Sequence, residues 1–302
     1  MSRIAFIAVD WGSTAFRAWA LDHGGAVLAT RTGPDGLKSI ENRAFSEVLD
    51  RHCGDWCAAA PEAPVLMQGM VGARGGWVEA AYAPCPARFG QLTAQATRFE
   101  ADGRTIVILP GATVADDSGG HDVMRGEEVQ IFGAAELTGR GTAQICIPGT
   151  HCKWAELRDG VLTGFRTFVT GEMYQLLLQH SLVGALSEGT DLRDGAFRRG
   201  LDRGAALPLS HAVFAARAST LTGNMAPAEV ASFLSGVLIG AEWAAQDQPR
   251  DVLLMASGVL ADRYAAALTH FGTPFESVDA DAATLAGLTR AARSPWPERV
   301  AA

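Results

Sequence analysis

One pattern occurs twice in the 302 residues and narrows the folds open to the chain. It consists of an apolar strand, a loop of small polar residues, a second strand, a tight turn and a third strand. In the first copy, Ile4-Ala5-Phe6-Ile7-Ala8-Val9 reads as a buried strand ending at Asp10. The loop Trp11-Gly12-Ser13-Thr14 follows. Residues 16–21 alternate as a second strand, Asp22-His23-Gly24-Gly25 makes the turn, and 26–31 form the third strand. The second copy runs from a strand at 143–147, stopped by Pro148, through Gly149-Thr150-His151-Cys152. A strand at 153–157, the turn Arg158-Asp159-Gly160 and a strand at 161–168 complete it. Each copy opens as an antiparallel meander, unlike the strand-then-helix start of a dinucleotide-binding unit. We read the pair as a duplicated architecture, one copy per half.

Between the copies, strands are expected at 65–68 and 105–109, and a helix from Arg125 to Leu137 with Glu127 and Glu128 in its first turn. The second half turns helical, with helices at 171–182, from Pro227 onward, at 259–271 and at 282–292, and a strand at 251–256. The polar, glycine-bearing Thr138-Gly139-Arg140-Gly141 sets the expected domain boundary: residues 1–138 and 139–302.

A net charge of -8 argues against nucleic acid as a partner, because a phosphate backbone requires a basic surface. Five cysteines without a CxxC pair argue against a disulfide framework or zinc site and for a reducing cytoplasm. The first apolar run is too short for a signal peptide, and no stretch is long enough to span a membrane. A homodimer is the expected assembly on general grounds alone.

The loops carry the candidate chemistry. Gly12, Ser13 and Thr14 offer amides and hydroxyls suited to phosphate oxygens, and Asp10 at the strand end suits a hydrated magnesium ion. Gly149 and Thr150 repeat the offer in the second copy. Ser257-Gly258, between a strand and a helix, is a candidate for the adenosine part of a nucleotide. Glu127 is placed to accept the proton of a hydroxyl undergoing phosphorylation; the alternative is that both glutamates only offset the helix dipole. Gly69-Met70-Val71-Gly72 with Gly75-Gly76-Trp77 is too glycine-rich for a core element and reads as a substrate loop with an aromatic wall, although Trp77 equally suits an anchoring role in the core. Arg17, Arg125, Lys153 and Arg166 are the cations available to a substrate carboxylate or a transferring phosphoryl group, and His151 sits within the second loop. The HExxH, Gly-x-Ser-x-Gly and P-loop patterns are all missing from the sequence.

Taken together, several segments resemble the 2-dehydro-3-deoxygalactonokinase family. They are Asp10-Trp11-Gly12-Ser13-Thr14 with Arg17-Ala18-Trp19, Gly69-Met70-Val71-Gly72 with Gly76-Trp77, Val123-Met124-Arg125-Gly126-Glu127-Glu128, Pro148-Gly149-Thr150-His151-Cys152-Lys153-Trp154, Phe165-Arg166-Thr167 with Thr170-Gly171-Glu172, and Phe233-Leu234-Ser235-Gly236 with Leu238-Ile239-Gly240-Ala241-Glu242. The resemblance spans the chain in order. It implies an α/β fold of two ribonuclease-H-like domains of the actin, hexokinase and Hsp70 type, with a cleft between them. It also implies ATP and magnesium as cofactors, and phosphorylation of the 6-hydroxyl of 2-dehydro-3-deoxy-D-galactonate in galactonate catabolism. On it, Asp10, Gly12, Ser13, Thr14, Gly149, Thr150, Lys153 and Gly258 face the nucleotide. Arg17, Gly69, Met70, Trp77, Arg125 and His151 face the sugar acid, and Glu127 is catalytic. Pro148 stands where the superfamily's second phosphate loop usually begins with Asp, which leaves Asp10 as the expected metal ligand. The alternatives are an exopolyphosphatase-like phosphohydrolase, a kinase of a different 2-keto-3-deoxy sugar acid, and a nucleotide-switched binding protein.

Overall fold

The computed structural model describes residues 3–116, 118–247, 249–294 and 296, which divide into two units. The first runs to Thr142 and also takes Glu156–Phe165 and the chain from Ala280 onward; the second holds Ala143–Ala155 and Arg166–Asp279.

In the first unit the meander is strands β1 (Phe6–Trp11), β2 (Phe16–Leu21) and β3 (Val27–Gly33). Every residue of β1 is buried, as its unbroken apolar run requires. After helix α1 (Phe45–Ala59), strand β4 (Val65–Gly69) pairs parallel to β1. Strands β5 (Tyr82–Pro84) and β6 (Ala87–Arg88) and helix α2 (Phe89–Thr93) lead to β7 (Thr97–Ala101) and β8 (Arg104–Ile108). The sheet order is β3-β2-β1-β4-β8-β7, antiparallel in the meander and parallel from β1 through β4 to β8. Strand β5 pairs with β9 (Gly111–Ala115), and β9 with β10 (His121–Met124), in a small second sheet. Helix α3 (Glu127–Thr138) follows. It begins two residues later than the sequence suggests, because Gly126 sits at φ 106°, where the chain cannot yet be helical.

The second unit repeats this order. Its strands are β11 (Ala143–Ile147), β12 (Cys152–Arg158), β13 (Val161–Phe168), β14 (Val252–Met255) and β15 (Phe275–Val278), ordered β15-β14-β11-β12-β13. Strands β11, β14 and β15 are parallel neighbours, as β1, β4 and β8 are in the first unit. The shared order, a three-stranded meander flanked by two parallel strands, is the ribonuclease-H-like plan in both halves. The turn of the β12–β13 hairpin belongs to the first unit, where Val161 and Leu162 pair with Arg88 and Ala87 of β6.

The helices of the second unit are α4 (Thr170–His180), α5 (Asp194–Ala206), α6 (Leu209–Ala212), α7 (Phe214–Leu221), α8 (Val230–Ala244) and α9 (Gly258–His270); α10 (Ala280–Ala292) lies in the first unit. Glycine sets the closest helix contacts. A Cβ on Gly200 or Gly204 of α5 would lie 2.2 Å or 2.0 Å from a carbonyl oxygen of α8, and Gly236 and Gly240 of α8 meet α5 equally closely. Gly133 of α3 and Gly287 of α10 do the same for each other's helices. The core of the first sheet is Ile7, Val9 and Trp11 with Phe45, Leu49 and Trp56 of α1. No helix among the described residues is long and apolar enough to cross a membrane.

Candidate active site

Strand register builds the candidate positions of the first unit. Asp10 lies opposite Arg17 on β2 and opposite Gln68 on β4, so three polar side chains form a row across three strands. Asp10 is only 9% exposed. Its Oδ2 accepts from Arg17 Nε at 3.1 Å and from Nη2 at 2.5 Å; its Oδ1 accepts from Gln68 Nε2 at 3.1 Å. Arg17 also pairs with Asp281 in the first turn of α10. The hairpin beyond Asp10 is tight: Gly12 N–H donates to Ala15 O at 2.9 Å. Segment 34–38 braces it from outside. Leu37 N–H donates to Gly12 O, Lys38 N–H to Ser13 O, and Trp11 Nε1 to Asp35 O. That brace needs Gly36, since a Cβ there would lie 2.3 Å from Thr14 N. No hydrogen bond within the described residues engages the amides or hydroxyls of Ser13 and Thr14.

Gly69, at φ 89°, ends β4 where a Cβ would come within 2.8 Å of Trp11 O and 3.3 Å of Asp10 Oδ1. Gly126 at the head of α3 packs against its Cα. The end of β1, the end of β4 and the start of α3 therefore converge. There the two glutamates differ. Glu127 is half-buried and its Oε2 accepts the Arg125 amide at 3.0 Å. Glu128 is sealed in the interior, with both oxygens accepting the Gly126 amide at 2.9 and 2.8 Å. Burial, reinforced by the charge of Glu127, pushes the Glu128 carboxyl up to about 8. Each carboxylate thus engages the backbone two residues upstream, and only Glu127 also reaches solvent.

Arg125 packs against the glycine loop. Its Nη2 donates to Ala80 O at 2.8 Å, and its guanidinium stacks 4.2 Å from the Tyr82 ring centroid. Gly72 makes room for Nη1, which would lie 3.0 Å from a Cβ there. Its Nε and Nη1 are buried and have no acceptor among the described residues. Met70 begins a 3-10 turn after Gly69. Trp77, farther along the loop, is half-buried. Its ring lies among Trp11, Phe45 and Phe99, with centroids 5.5–6.5 Å apart, and it anchors the loop to the core.

In the second unit the corresponding strand end carries no acid. Gly149 and Thr150 are held by the start of α4: Glu172 N–H donates to Thr150 O at 3.0 Å, and His151 Nε2 meets Glu172 Oε2 at 2.7 Å. A Cβ on Gly171 would lie 2.4 Å from Gly149 O, so only glycine permits this approach. Thr170-Gly171-Glu172 is therefore more than a helix cap. Behind it lies Glu242 of α8, buried and accepting from Trp154 Nε1 at 2.6 Å, from Tyr264 Oη at 3.0 Å and from the Thr170 hydroxyl. Burial pushes its carboxyl up while these donors hold it down. Cys146 and Cys152 lie close to Glu242. With three protein donors on the carboxylate, this cluster is built as a hydrogen-bond node. Lys153 is buried on β12, and Arg166 Nη1 donates to Ala245 O. Gly258 opens α9 at φ 57°, with free space where a Cβ would stand.

The model of the 2-keto-3-deoxy-galactonokinase family matches residues 10–291, a span that contains all of these positions. The chain belongs to this family. A Rhizobium meliloti (strain 1021) protein assigned as a 2-dehydro-3-deoxygalactonokinase is 39% identical over 302 residues, covering 97% of this chain and 98% of that protein. The 2-dehydro-3-deoxygalactonokinase of Escherichia coli K12 is 38% identical, covering 94% and 96%. A crystal structure from Sinorhizobium meliloti, assigned to the same activity, superimposes with a TM-score of 0.88 at 38% identity, covering 95% of this chain and 98% of that one. These family relatives are named as kinases, and the phosphohydrolase alternative finds no support among them.

Proposed function

We propose that the chain transfers the γ-phosphoryl group of ATP to the 6-hydroxyl of 2-dehydro-3-deoxy-D-galactonate, releasing ADP. The observation that carries this reading is the family match across residues 10–291. The site residues add the roles. The hairpin of Gly12, Ser13 and Thr14 and the loop of Gly149 and Thr150 bind phosphate oxygens, with Lys153 and Gly258 contributing to the nucleotide side. Gly69, Met70 and His151 stand on the sugar-acid side. Among the four candidate cations, Arg17 is committed to Asp10 and Asp281, Arg166 to a carbonyl, and Lys153 is assigned to the nucleotide side. Arg125, with two unmet N–H donors, is the best placed for the sugar-acid carboxylate, which a guanidinium grips in a fork.

Glu127 accepts the proton of the attacking hydroxyl as the O–P bond forms and the bond to ADP breaks. Glu128 suits that task poorly, because its proton is retained by burial. A single, partly shielded carboxylate with hard oxygen donors fits magnesium, which keeps most of its water. Asp10 would hold it, sharing its oxygens with Arg17 and Gln68. Bound there, the ion would neutralise phosphate charge. The remaining work is positioning and charge stabilisation. A cytoplasmic location and a homodimer complete the proposal.

The test is an ADP-release assay over a panel of 2-keto-3-deoxy sugar acids. Turnover with the galactonate derivative and slow turnover with its epimer support the reading; phosphate release without any sugar acid defeats it. Glu127→Gln is expected to lower kcat by about a hundredfold to ten-thousandfold while ADP still binds. Turnover near wild type would remove Glu127 from the base position.

A further inference from the structure

We infer that Arg263, Tyr174 and Ser235 form a pocket under the second hairpin that receives a phosphate oxygen of the bound nucleotide, an inference resting on the reading of Gly149–Thr150 as a phosphate loop. Arg263 projects from α9 and is 8% exposed. Its Nη1 donates to Ser235 Oγ of α8 at 3.3 Å, and its guanidinium lies 5.5 Å from the Tyr174 ring centroid on α4. Its Nε is buried with no acceptor, and so is the Tyr174 hydroxyl. Among the described residues Arg263 has no carboxylate partner. The neighbouring acid, Glu242, is already occupied by Trp154, Tyr264 and Thr170.

A buried guanidinium without an anion is costly, and unmet buried donors add to the cost. The cost is recovered when an oxyanion binds. The cavity here measures about 40 Å³, where one water needs roughly 10–15 Å³. It therefore accommodates more than a single oxygen atom. Gly149 and Gly171 line it with backbone, and Leu260 closes it with an apolar side. Both glycines belong to the bracket that shapes the second hairpin, and Gly258, the candidate adenosine position, opens the helix that carries Arg263. Three unmet or shared donors beside a phosphate loop suit a phosphate oxygen. A sugar-acid carboxylate has the same donor requirement, and binding measurements separate the two.

Calorimetric titration with ADP, combined with KM values for ATP and for 2-dehydro-3-deoxygalactonate, tests the assignment on Arg263→Met, Tyr174→Phe and Thr150→Ala. Arg263→Met is expected to weaken ADP binding by about tenfold to a hundredfold, and Tyr174→Phe by about twofold to tenfold, with the sugar-acid KM unchanged in both. Tyr174→Phe keeps the ring and decides the matter if Arg263→Met fails to fold. Wild-type ADP affinity in Tyr174→Phe and in a folded Arg263→Met overturns the inference. A rise confined to the sugar-acid KM also overturns it and assigns the pocket to the carboxylate. If Thr150→Ala binds ADP normally while Arg263→Met does not, the pocket stands and the phosphate-loop reading of the hairpin falls.

Discussion

The first hairpin leaves its strand through Asp10, and strand register places Arg17 and Gln68 beside that carboxylate. The second leaves through Ile147 and Pro148, and the strand beside it continues the register with apolar residues, Cys146 opposite Leu254. Their supports differ as well. Segment 34–38 of the local chain braces the first loop, whereas the start of α4, itself tied to Glu242, braces the second. One architecture thus carries a charged copy and a neutral one. The charged copy holds its carboxylate between Arg17 and Gln68, where the proposed metal ion would bind. The neutral copy has no acid at its strand end, so what its loop backbone and hydroxyl groups can do depends on shape.

Asp10→Asn strikes the charged copy directly. The amide keeps the size of the side chain, removes the negative charge facing Arg17, and turns a donor or a weaker acceptor toward it. Turnover is expected to fall by about tenfold to a hundredfold, since hydrogen bonds to charged groups are worth about 1.5–3 kcal/mol. The ADP-release assay at varied magnesium concentration measures it. Wild-type turnover at every magnesium level would mean that the charge difference between the hairpins is incidental.

Shape is probed by two glycines of the neutral copy. A Cβ at Gly171 would meet backbone at 2.4 Å, so Gly171→Ala must displace the bracket; a stability loss of about 1–3 kcal/mol is expected. A Cβ at Gly149 would find its nearest neighbour at 3.6 Å, an ordinary contact, so Gly149→Ala should leave the urea midpoint nearly unchanged. Any harm it does should appear in ADP affinity, because the added methyl group stands on the proposed phosphate loop. If both variants lower stability equally, the division between a structural and a ligand-facing glycine is wrong.

The duplicated meander was legible in the sequence because alternation and glycine turns are local signals. The parallel strands were legible as short apolar runs. Helices α1 and α5 were not. Charged and polar residues interrupt α1 at Arg51, His52, Gly54 and Asp55, and α5 carries its packing signal in Gly200 and Gly204, whose meaning depends on Gly236 and Gly240 of α8. The site shows the same divide. Asp10, Gly12 and Glu127 became candidates through loop and helix-start chemistry. Glu242 did not, because its donors Trp154, Thr170 and Tyr264 lie 88, 72 and 22 residues away. Trp77 could be read either way until its ring neighbours were known.

The two buried glutamates carry the comparison into pH dependence. Burial raises both, Glu128 in the charged half to about 8 and Glu242 in the neutral half against a set of donors. A carboxyl whose folded value is raised holds its proton in the native state at pH values where the unfolded chain has released it. Its contribution is therefore complete below the unfolded value of 4.5 and declines as pH rises toward about 8. Glu128→Gln is neutral at every pH and should flatten that decline, which urea midpoints between about pH 5 and about pH 8 would show. Glu242→Gln should behave differently. Its amide would direct N–H groups at Trp154, Thr170 or Tyr264 donors, costing about 1–3 kcal/mol at all pH values with less change of slope. Equal slopes in wild type and Glu128→Gln would mean that Glu128 is ionised in the folded protein. Two ionised carboxylates would then stand side by side at the head of α3, and the assignment of the base to Glu127 alone would lose its electrostatic ground.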